Sequence, residues 1–396
     1  MRELPPTLDC VEHDLTPPPG SEQRLRSARV VLLTHYLPPH KVPVLEHVAG
    51  RVGALTVLLS TPMESHRDWT PAWGSLDVRV QQGLTLRRMW RHPVGFEEPV
   101  ERHVPLDTLL QLHRLRPDVV VSFEMGARTV FSQLHAKLRP SVGLVVFTGM
   151  SEHSERGRGA ARRLLRRVLV GTADVITYNG PSGRRYLDGI GARRLVFAPY
   201  APDPVVRSSP AEGPARRSLL AVGRLSAGKG IPQLLAGVTG FAAAHPEEEV
   251  VLTVVGGGPL EERLRTAPRP SNLTVDLRGR VAPARLPAIY REAGALVCAS
   301  LSDEWGMVVT EALGAGLPVI GSSLAQSVTT LVQDGVNGWA FDPRVDGDLQ
   351  RALEAFRATG DDEVISMRGR CAASVGWQTV EYAGDQLLRA IAVAQR

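Results

Sequence analysis

Aromatic residues, lysine and cysteine are all scarce in this sequence of 396 residues. Aromatic side chains make up only 5% of it, and no basic stretch is interleaved with them, which argues against a stacking platform for nucleic acid. Lysine occurs only at Lys41, Lys137 and Lys229, so Lys229 stands out where arginine is the usual basic residue. No run of 18 apolar residues occurs, and a membrane-spanning helix is therefore not expected.

The cysteines Cys10, Cys298 and Cys371 are too widely spaced for a metal-binding or redox motif. Cys298 lies in a strand pattern and is predicted to be a small buried thiol, which favours a cytoplasmic location. The net charge of +5 is modest for this length, and no nucleic-acid partner is predicted. Residues 1–27 are rich in proline and charge without an apolar signal core, so we predict a disordered tail.

Short apolar runs alternate with helical patterns along the whole chain. This alternation predicts parallel sheets covered by helices on both faces. A chain of this length is also too long to form a single hydrophobic core. We therefore predict an α/β protein with two doubly wound, Rossmann-like domains that face each other across a ligand-binding cleft. The strands are predicted at Arg29–Thr34, Ala54–Ser60, Asp118–Phe123, Val142–Phe147, Asp174–Tyr178, Leu195–Ala198, Ser218–Gly223, Val250–Gly256, Leu273–Arg278, Ala295–Ala299 and Pro318–Gly321.

The segment Pro199–Arg217 contains five prolines and no apolar periodicity, which is typical of a linker. It divides the chain into a first domain at 28–205 and a second domain at 206–376, for which the motifs described below predict acceptor binding and donor binding respectively. The remaining residues, 377–396, have a helical pattern, and we expect this helix to pack back on the first domain.

The second domain opens with a strand followed by a glycine-bearing loop, Gly223–Gly230. Arg224 and Lys229 flank this loop, where two cations can neutralise a diphosphate that the glycines allow to approach the backbone. A solvated basic turn is the alternative, but the acidic motif further along favours the functional interpretation. The next strand ends in glycines, with Gly256 and Gly258 either forming a tight turn or lying under a nucleotide base. Arg280 belongs to a segment that can offer backbone groups to the edge of the base.

The stretch from Asp303 to Ile320 is the most informative in the chain. It follows a buried-strand pattern and carries Asp303 and Glu311 eight positions apart around a glycine turn. Free backbone N–H groups at such a turn suit an anionic or polyhydroxyl ligand, and a carboxylate can accept from neighbouring sugar hydroxyls.

These motifs in this order resemble the second-domain signature of the retaining nucleotide-sugar glycosyltransferases of family 4, which have the GT-B fold. The resemblance covers Ser218 to about Phe341 closely and the rest in layout. It implies that Arg224 and Lys229 hold the donor diphosphate and that Glu311 binds the ribose. The first acidic position falls on Asp303 where the family usually has glutamate, so either the donor hexose sits differently or Glu304 shares the role of Asp303. Backbone N–H groups toward sugar and phosphate are implied at Gly306, Met307 and Val308.

The first domain carries polar side chains after its predicted strands, where an acceptor is expected. His35, His40 and Lys41 follow the first strand, and Glu124 follows a later one. For each of the first three, a surface polar residue is the favoured alternative, and Glu124 can also be a helix-capping carboxylate. His153 lies after the predicted strand Val142–Phe147, where it can orient or deprotonate an acceptor hydroxyl or belong to a surface loop.

Two other patterns have competing interpretations. Arg156–Val170 is predicted to be an amphipathic helix that either contacts anionic lipid at the inner membrane face or docks its leucines on its own domain, and we favour docking. Asp346-Gly347-Asp348 matches a metal-binding D-x-D, but we favour Asp348 as a helix N-cap and predict neither a metal nor a cofactor.

The sequence is therefore predicted to encode a retaining, metal-independent glycosyltransferase with a UDP- or GDP-type sugar donor and a hydroxyl acceptor. That acceptor is a glycan, a lipid-linked glycan or a small metabolite. Two alternatives stay open: a sugar-nucleotide epimerase or phosphorylase of the same fold, and a non-catalytic nucleotide-sugar binding protein.

Overall fold

A computed structural model describes residues 8, 15–64, 71–202 and 218–396. Within it the chain forms two compact units. Of the described residues, one unit contains those up to Trp90, those from Pro99 to 202, and Gln378–Arg396. The other contains Arg91–Glu98 and residues 218–377. The predicted linker at Pro199–Arg217 lies mostly outside the described residues.

The first described half of the chain contains nine strands and seven α-helices. The strands are β1 (Arg29–Thr34), β2 (Ala54–Leu59), β3 (Asp77–Val80), β4 (Gly83–His92), β5 (Phe96–Pro105), β6 (Val119–Phe123), β7 (Gly143–Phe147), β8 (Val175–Tyr178) and β9 (Leu195–Phe197). The helices are α1 (Ser21–Ser27), α2 (Val42–Ala49), α3 (Thr108–Leu115), α4 (Ala127–Leu138), α5 (Glu152–Glu155), α6 (Ala160–Thr172) and α7 (Pro181–Gly189).

The second half, from residue 218 onward, contains six strands and eight α-helices. The strands are β10 (Leu219–Val222), β11 (Val250–Val255), β12 (Leu273–Gly279), β13 (Ala295–Cys298), β14 (Val319–Ser322) and β15 (Gly338–Phe341). The helices are α8 (Ile231–Ala244), α9 (Glu261–Thr266), α10 (Leu286–Glu292), α11 (Met307–Gly314), α12 (Gln326–Leu331), α13 (Asp348–Ala358), α14 (Asp361–Ser374) and α15 (Val380–Ala394).

Two parallel sheets organise these elements. The first has the order β3-β2-β1-β6-β7-β8-β9 and the second the order β12-β11-β10-β13-β14-β15. Their central strands are short runs of β-branched and aliphatic residues buried on both faces, as β6 and β13 show, because helices cover both sides. The prediction of two doubly wound α/β domains is confirmed.

The direction of strand order reverses once in each sheet. In the first sheet, β1 lies between β2 and β6, so the loops that follow β1 and β6 leave the same edge side by side. In the second sheet, β10 lies between β11 and β13, and the loops after β10 and β13 are neighbours. Ligands of doubly wound sheets bind at such points, outside the carboxyl ends of the strands.

The chain between β3 and α3 forms a hairpin that sequence patterns did not predict. Strands β4 and β5 pair with each other as a two-stranded sheet of their own. Most of β4 is exposed, so the strand has no buried apolar face that would mark it in the sequence. The tip of this hairpin, Arg91–Glu98, belongs to the compact unit of the second sheet.

Two helices, α1 and α15, contribute to the core of the first sheet. Helix α15 packs against α2 and buries Leu387 and Ile391 in the core of the first sheet. Helix α1 packs against α15 and buries Leu25 in the same core. The prediction of disorder over residues 1–27 is therefore wrong for residues 21–27, because one buried leucine anchors a segment that its composition marks as polar. Cys298 is buried as predicted.

Candidate functional site

The loop after β10 is held against the end of β13 at the reversal point of the second sheet. The carbonyl oxygen of Gly228 accepts from the N–H of Leu301 at 2.9 Å. Gly230 has a φ of 67°, and a Cβ there would collide with the carbonyl of Ala299. Gly256 has a φ of 135° and no room for a side chain beside the Gly223 carbonyl. Glycine is required at 230 and 256 because two stretches of backbone meet there.

Lys229 and Asp303 form an ion pair across the two loops. The ammonium Nζ donates to Asp303 Oδ2, and the hydroxyl of Ser300 donates to the same oxygen at 3.3 Å. The side chain of Lys229 remains 39% exposed and that of Asp303 14% exposed. Burial by itself lowers the pKa of Lys229, but the Asp303 carboxylate outweighs it and the net pKa lies above its ordinary value. Lys229 is therefore a fixed cation over the neutral pH range.

Arg224 differs from Lys229 in its surroundings. Within the described parts of the chain, its half-buried guanidinium has neither a hydrogen bond nor an ion pair. Its backbone carbonyl accepts from Ser226 at 2.9 Å, which turns the loop. A guanidinium with unused donors beside a glycine-bearing loop is chemically suited to a phosphate.

Glu311 lies in the second turn of α11 and is oriented by Tyr290. The phenol of Tyr290 donates to Glu311 Oε2 at 2.8 Å. Burial first, and then the Glu311 carboxylate, raise the pKa of Tyr290 well above its ordinary value, so the phenol stays protonated and keeps donating. Sequence reasoning missed Tyr290 because it lies 21 positions from Glu311 in an unremarkable helix.

Helix α11 begins directly after the glycine turn of the acidic motif. Gly306 is its N-cap with a φ of 97°, and Met307 and Val308 are its first two residues. The N–H groups of a helix's first turn have no acceptor within the helix, so they are available at this end. Glu304 is exposed, and its carbonyl accepts from Gln326 at 2.7 Å.

The two glycine-bearing loops of the second sheet are joined to each other. The N–H of Leu225 donates to Gly257 at 3.1 Å, and Gly258 lies against the Leu225 backbone. The Arg280 side chain covers Gly257, with its Nε 3.1 Å from where a Cβ would stand. The structure thus brings the predicted donor residues of the β10, β11, β12 and β13 loops to one edge of the sheet.

The reversal point of the first sheet collects the predicted acceptor residues. The Lys41 ammonium lies 4.2 Å from the ring centre of Phe123 and 5.5 Å from that of Tyr200. The ring of His40 lies 6.2 Å from that of Tyr200, centre to centre. His35 Nε2 is 3.8 Å from the carboxylate of Glu64. Lys41 is thus held over aromatic faces, where an ammonium is favourable.

Glu124 has a backbone conformation that is rare outside glycine. Its φ is 65°, which costs roughly 1–2 kcal/mol for a residue with a side chain. Its carbonyl accepts from the Thr129 hydroxyl, and its N–H donates to Phe147 at 2.8 Å. The N-cap of α4 is Gly126, so the alternative of Glu124 as a capping carboxylate is wrong. The turn instead fixes the side chain at the carboxyl edge of the sheet.

Arg128, which sequence reasoning missed, lies beneath this edge. Its guanidinium donates to Ser60 at 3.1 Å and to the carbonyl of Phe123 at 3.4 Å. Burial lowers the pKa of Arg128 to about 10, while the charges of Glu124 and Glu64 oppose that shift. Arg128 belongs to none of the sequence motifs, and only the fold shows that it is buried at this edge.

His153 lies in the short helix α5, directly after the loop that follows β7. The N-cap Ser151 accepts from the N–H of Ser154 at 3.1 Å, and the Ser154 hydroxyl accepts in return from Ser151 at 3.0 Å. The nearby Glu152 pairs with Arg185 at 2.8 Å. His153 is half-buried on a locally well-fixed turn.

The expectation that the leucines of α6 dock on their own domain is confirmed for Leu169, which is buried, and wrong for the other three residues of the stripe. Leu164, Leu165 and Val168 are 64%, 42% and 53% exposed. The buried face also carries Arg166, which pairs with the carboxylate of Glu155. Arg166 is buried together with Leu169 and Val170, which is possible because a buried partner neutralises its charge.

The D-x-D pattern with Asp348 was considered as a possible metal site. Asp348 is the first residue of α13 and Gly347 its N-cap, so the prediction of Asp348 as a cap is wrong. Its carboxylate accepts from the N–H of Asp342 at 2.7 Å and pairs with Arg351 at 2.5 Å. The hydrogen bond from Arg351 lowers the pKa of Asp348.

Elsewhere in the described ranges, one group of potential ligands gathers within 4.8 Å, consisting of His245, Glu247 and Glu248. His245 bonds Glu354 at 2.7 Å, and Glu248 pairs with Arg357 at 2.6 Å. These atoms already have protein partners.

Residues 206–363 match the family described as Glycosyl transferases group 1. A glycogen synthase of Mycobacterium tuberculosis is 30% identical over 217 residues, which are 53% of this chain and 49% of that protein. A D-inositol 3-phosphate glycosyltransferase of Corynebacterium kroppenstedtii is 26% identical over 236 residues, which are 54% of this chain and 52% of that protein. The chain spans about half the length of the curated relatives it matches.

Solved structures resemble the fold over most of the chain. Anabaena HepE in complex with UDP and glucose has a TM-score of 0.65 at 15% identity, covering 91% of this chain and 98% of that one. Sucrose-phosphate synthase from Thermosynechococcus elongatus has the same score, identity and coverage. The fold is therefore that of the GT-B glycosyltransferases, and residues 206–363 are similar to the group 1 glycosyl transferases. Together these similarities support a glycosyltransferase.

Proposed function

We propose that this protein is a retaining glycosyltransferase of the family 4 type, which moves a sugar from a nucleoside-diphosphate donor to a hydroxyl acceptor. The observation that carries the proposal is the reversal point of the second sheet. There Arg224, which has no side-chain partner among the described residues, and the Lys229–Asp303 pair lie beside glycines that leave the backbone open. Two cations and free N–H groups fit a diphosphate, and carboxylates fit the hydroxyls of a sugar and a ribose.

Charge stabilisation supplies the chemistry in this proposal. As the glycosidic C–O bond breaks, negative charge grows on the leaving diphosphate, and Arg224 and Lys229 stabilise it. The acceptor oxygen attacks the same face of the sugar, and its proton passes to the departing phosphate oxygen. The anomeric configuration is thereby retained without a protein nucleophile. Two protein cations already neutralise the diphosphate, so a metal ion and a cofactor are not needed.

Similar proteins indicate the donor type. HepE was solved with UDP and glucose, and the similar GtfA subunit of Streptococcus pneumoniae is named for UDP-N-acetylglucosamine. We assign a UDP-type donor first and a GDP-type donor second. On the acceptor side, His35, His40, Lys41, Glu124 and His153 are proposed to bind and orient the hydroxyl compound.

Nucleotides should stabilise the protein only when Lys229 is present. We expect one of UDP, GDP, ADP and dTDP, at about a hundred times its Kd, to add about 2.7 kcal/mol to the free energy of unfolding. Lys229→Ala should lose most of this stabilisation, because the loop then lacks one of its two cations. Thermal melts of both proteins with each nucleotide measure the effect.

Lys137→Ala is the matched control, since Lys137 lies on α4 in the other compact unit. It should respond to the nucleotide as the wild type does. If none of the four nucleotides shifts the wild-type melt, the proposed donor site is refuted. Epimerisation of the donor sugar without an acceptor would instead favour the epimerase alternative.

We also propose that the enzyme is cytoplasmic and contacts the inner membrane face through Arg156–Val170. The exposed Leu164, Leu165 and Val168 have exposed Arg163 and Arg167 beside them on α6. An apolar strip with flanking cations complements an anionic lipid surface. No helix in the described ranges is long and apolar enough to cross a membrane.

Vesicle sedimentation can test this contact. The wild type should bind phosphatidylglycerol-containing vesicles more tightly than phosphatidylcholine vesicles. Leu164→Glu should weaken binding about tenfold, because one large apolar side chain no longer enters the lipid. Ile365→Glu, at an exposed position of α14, is the control and should bind as the wild type does. Equal binding of both vesicle types would contradict the proposal.

A further inference from the structure

The tip of the β4–β5 hairpin lies against the loop that carries Lys229. Glu98 Oε1 accepts from the hydroxyl of Ser226 at 2.6 Å and from the N–H of Gly228 at 3.1 Å. All three residues belong to the same compact unit. One carboxylate oxygen thus holds two points of the loop immediately before Lys229.

The packing around Gly228 shows how closely the tip fits. A Cβ at Gly228 would lie 2.7 Å from Glu98 Oε1 and 3.0 Å from the ring of Phe96. Phe96 is buried and stacks on His92, with ring centres 4.7 Å apart and planes 9° from parallel. The hairpin therefore presents Glu98 from a packed base rather than from a free loop.

The opposite side of the same loop is fixed by the end of β13. Gly228 accepts from the N–H of Leu301, and Gly230 lies against the Ala299 carbonyl. The loop is thus held between β13 on one side and the hairpin tip on the other. Lys229 leaves the loop between these two supports and reaches Asp303.

We propose that Glu98 is a positioning residue of the donor site, which fixes the Ser226–Lys229 turn so that the Lys229 ammonium is held where the diphosphate binds. The identity of the ligand in this inference rests on the proposed function, whereas the geometry of the loop does not depend on it. The hydrogen-bonded counter-ion of Lys229 is Asp303, and the Glu98 charge is the last and smallest of the causes that raise the pKa of Lys229. Glu98 is therefore expected to act by keeping the loop ordered.

Three variants separate this role from others. Glu98→Ala removes both hydrogen bonds and should weaken UDP or GDP binding about tenfold, because the loop must then be ordered on binding. Glu98→Gln keeps an acceptor oxygen for Ser226 and Gly228 and should restore affinity to within about threefold of the wild type. Glu97→Ala is the matched control, since this neighbouring carboxylate pairs with Arg91 instead and should leave affinity unchanged.

Two measurements keep the inference separate from the proposed function. Titration calorimetry with UDP and GDP gives the affinities, and hydrogen exchange of the 224–230 segment in the ligand-free protein reports its order. Faster exchange in Glu98→Ala than in Glu97→Ala, together with weaker binding, supports the proposal. Unchanged exchange refutes it even if no nucleotide binds. Tighter nucleotide binding by Glu98→Ala also refutes it, because Glu98 would then be a competing anion.

Discussion

Asp303→Ala is expected to reduce sugar transfer about 100- to 1,000-fold while nucleoside diphosphate binding is retained. A loss of this size is typical when one protein group that stabilises the transition state is removed. Asp303 is proposed to contact the donor sugar, so the variant loses the group that orients the reacting carbon. It also releases Lys229 from its ion pair, so UDP affinity should stay the same or increase.

Initial rates and calorimetry on the same preparations measure the two quantities. Asp346→Asn is the control, because Asp346 is exposed and lies in the D-x-D pattern that we do not assign to a metal. It should keep wild-type turnover. Full activity of Asp303→Ala would show that the sugar is oriented elsewhere, with Glu304 as the next residue to test. Equal loss of turnover and of UDP binding would indicate a collapsed loop instead.

Arg166→Leu is expected to destabilise the protein by about 3–5 kcal/mol. The variant leaves the Glu155 carboxylate buried without its main partner, since both side chains are 3% exposed or less. Arg166 also donates to the Tyr186 hydroxyl at 2.8 Å, and this bond is lost as well. Thermal melting should show a fall in Tm on the order of 10 °C.

The double variant Glu155→Leu/Arg166→Leu provides the test of this cause. It removes both charges, so it should recover most of the stability lost in Arg166→Leu. Arg167→Leu, at the adjacent exposed position, is the control and should melt close to the wild type. If the double variant melts below the single one, the loss comes from packing rather than from an uncompensated charge.

The positions of the donor residues could be predicted from the sequence because these residues follow buried strands. In a parallel sheet, whatever follows neighbouring strands meets at one edge, so Lys229 and Asp303 were expected to be close. Sequence did not show that they form an ion pair, nor that Ser300 donates to the same oxygen. Side-chain pairing depends on distances between strands that are far apart in the chain.

Exposed or irregular segments were predicted less well. The β4–β5 hairpin has little buried apolar alternation, so its pattern gave no strand signal and Glu98 appeared as one more surface carboxylate. The α6 helix had a clear amphipathic pattern, but periodicity alone does not state which face is inward. The inward face carries Leu169 and Val170 together with Arg166, whose charge the Glu155 carboxylate neutralises.

The sequence by itself determined the alternation of buried strands and helices, the two-domain α/β class and the edge of each sheet where polar residues collect. These properties follow from local patterns of apolar residues and glycines, which need no knowledge of the rest of the chain. Only the tertiary structure decided which residues hold these groups in place: Tyr290 on Glu311, Glu98 on the Lys229 loop, and Leu25 in the core of the first sheet. Such contacts join segments that lie far apart in sequence, so their energies appear only when the fold brings the segments together.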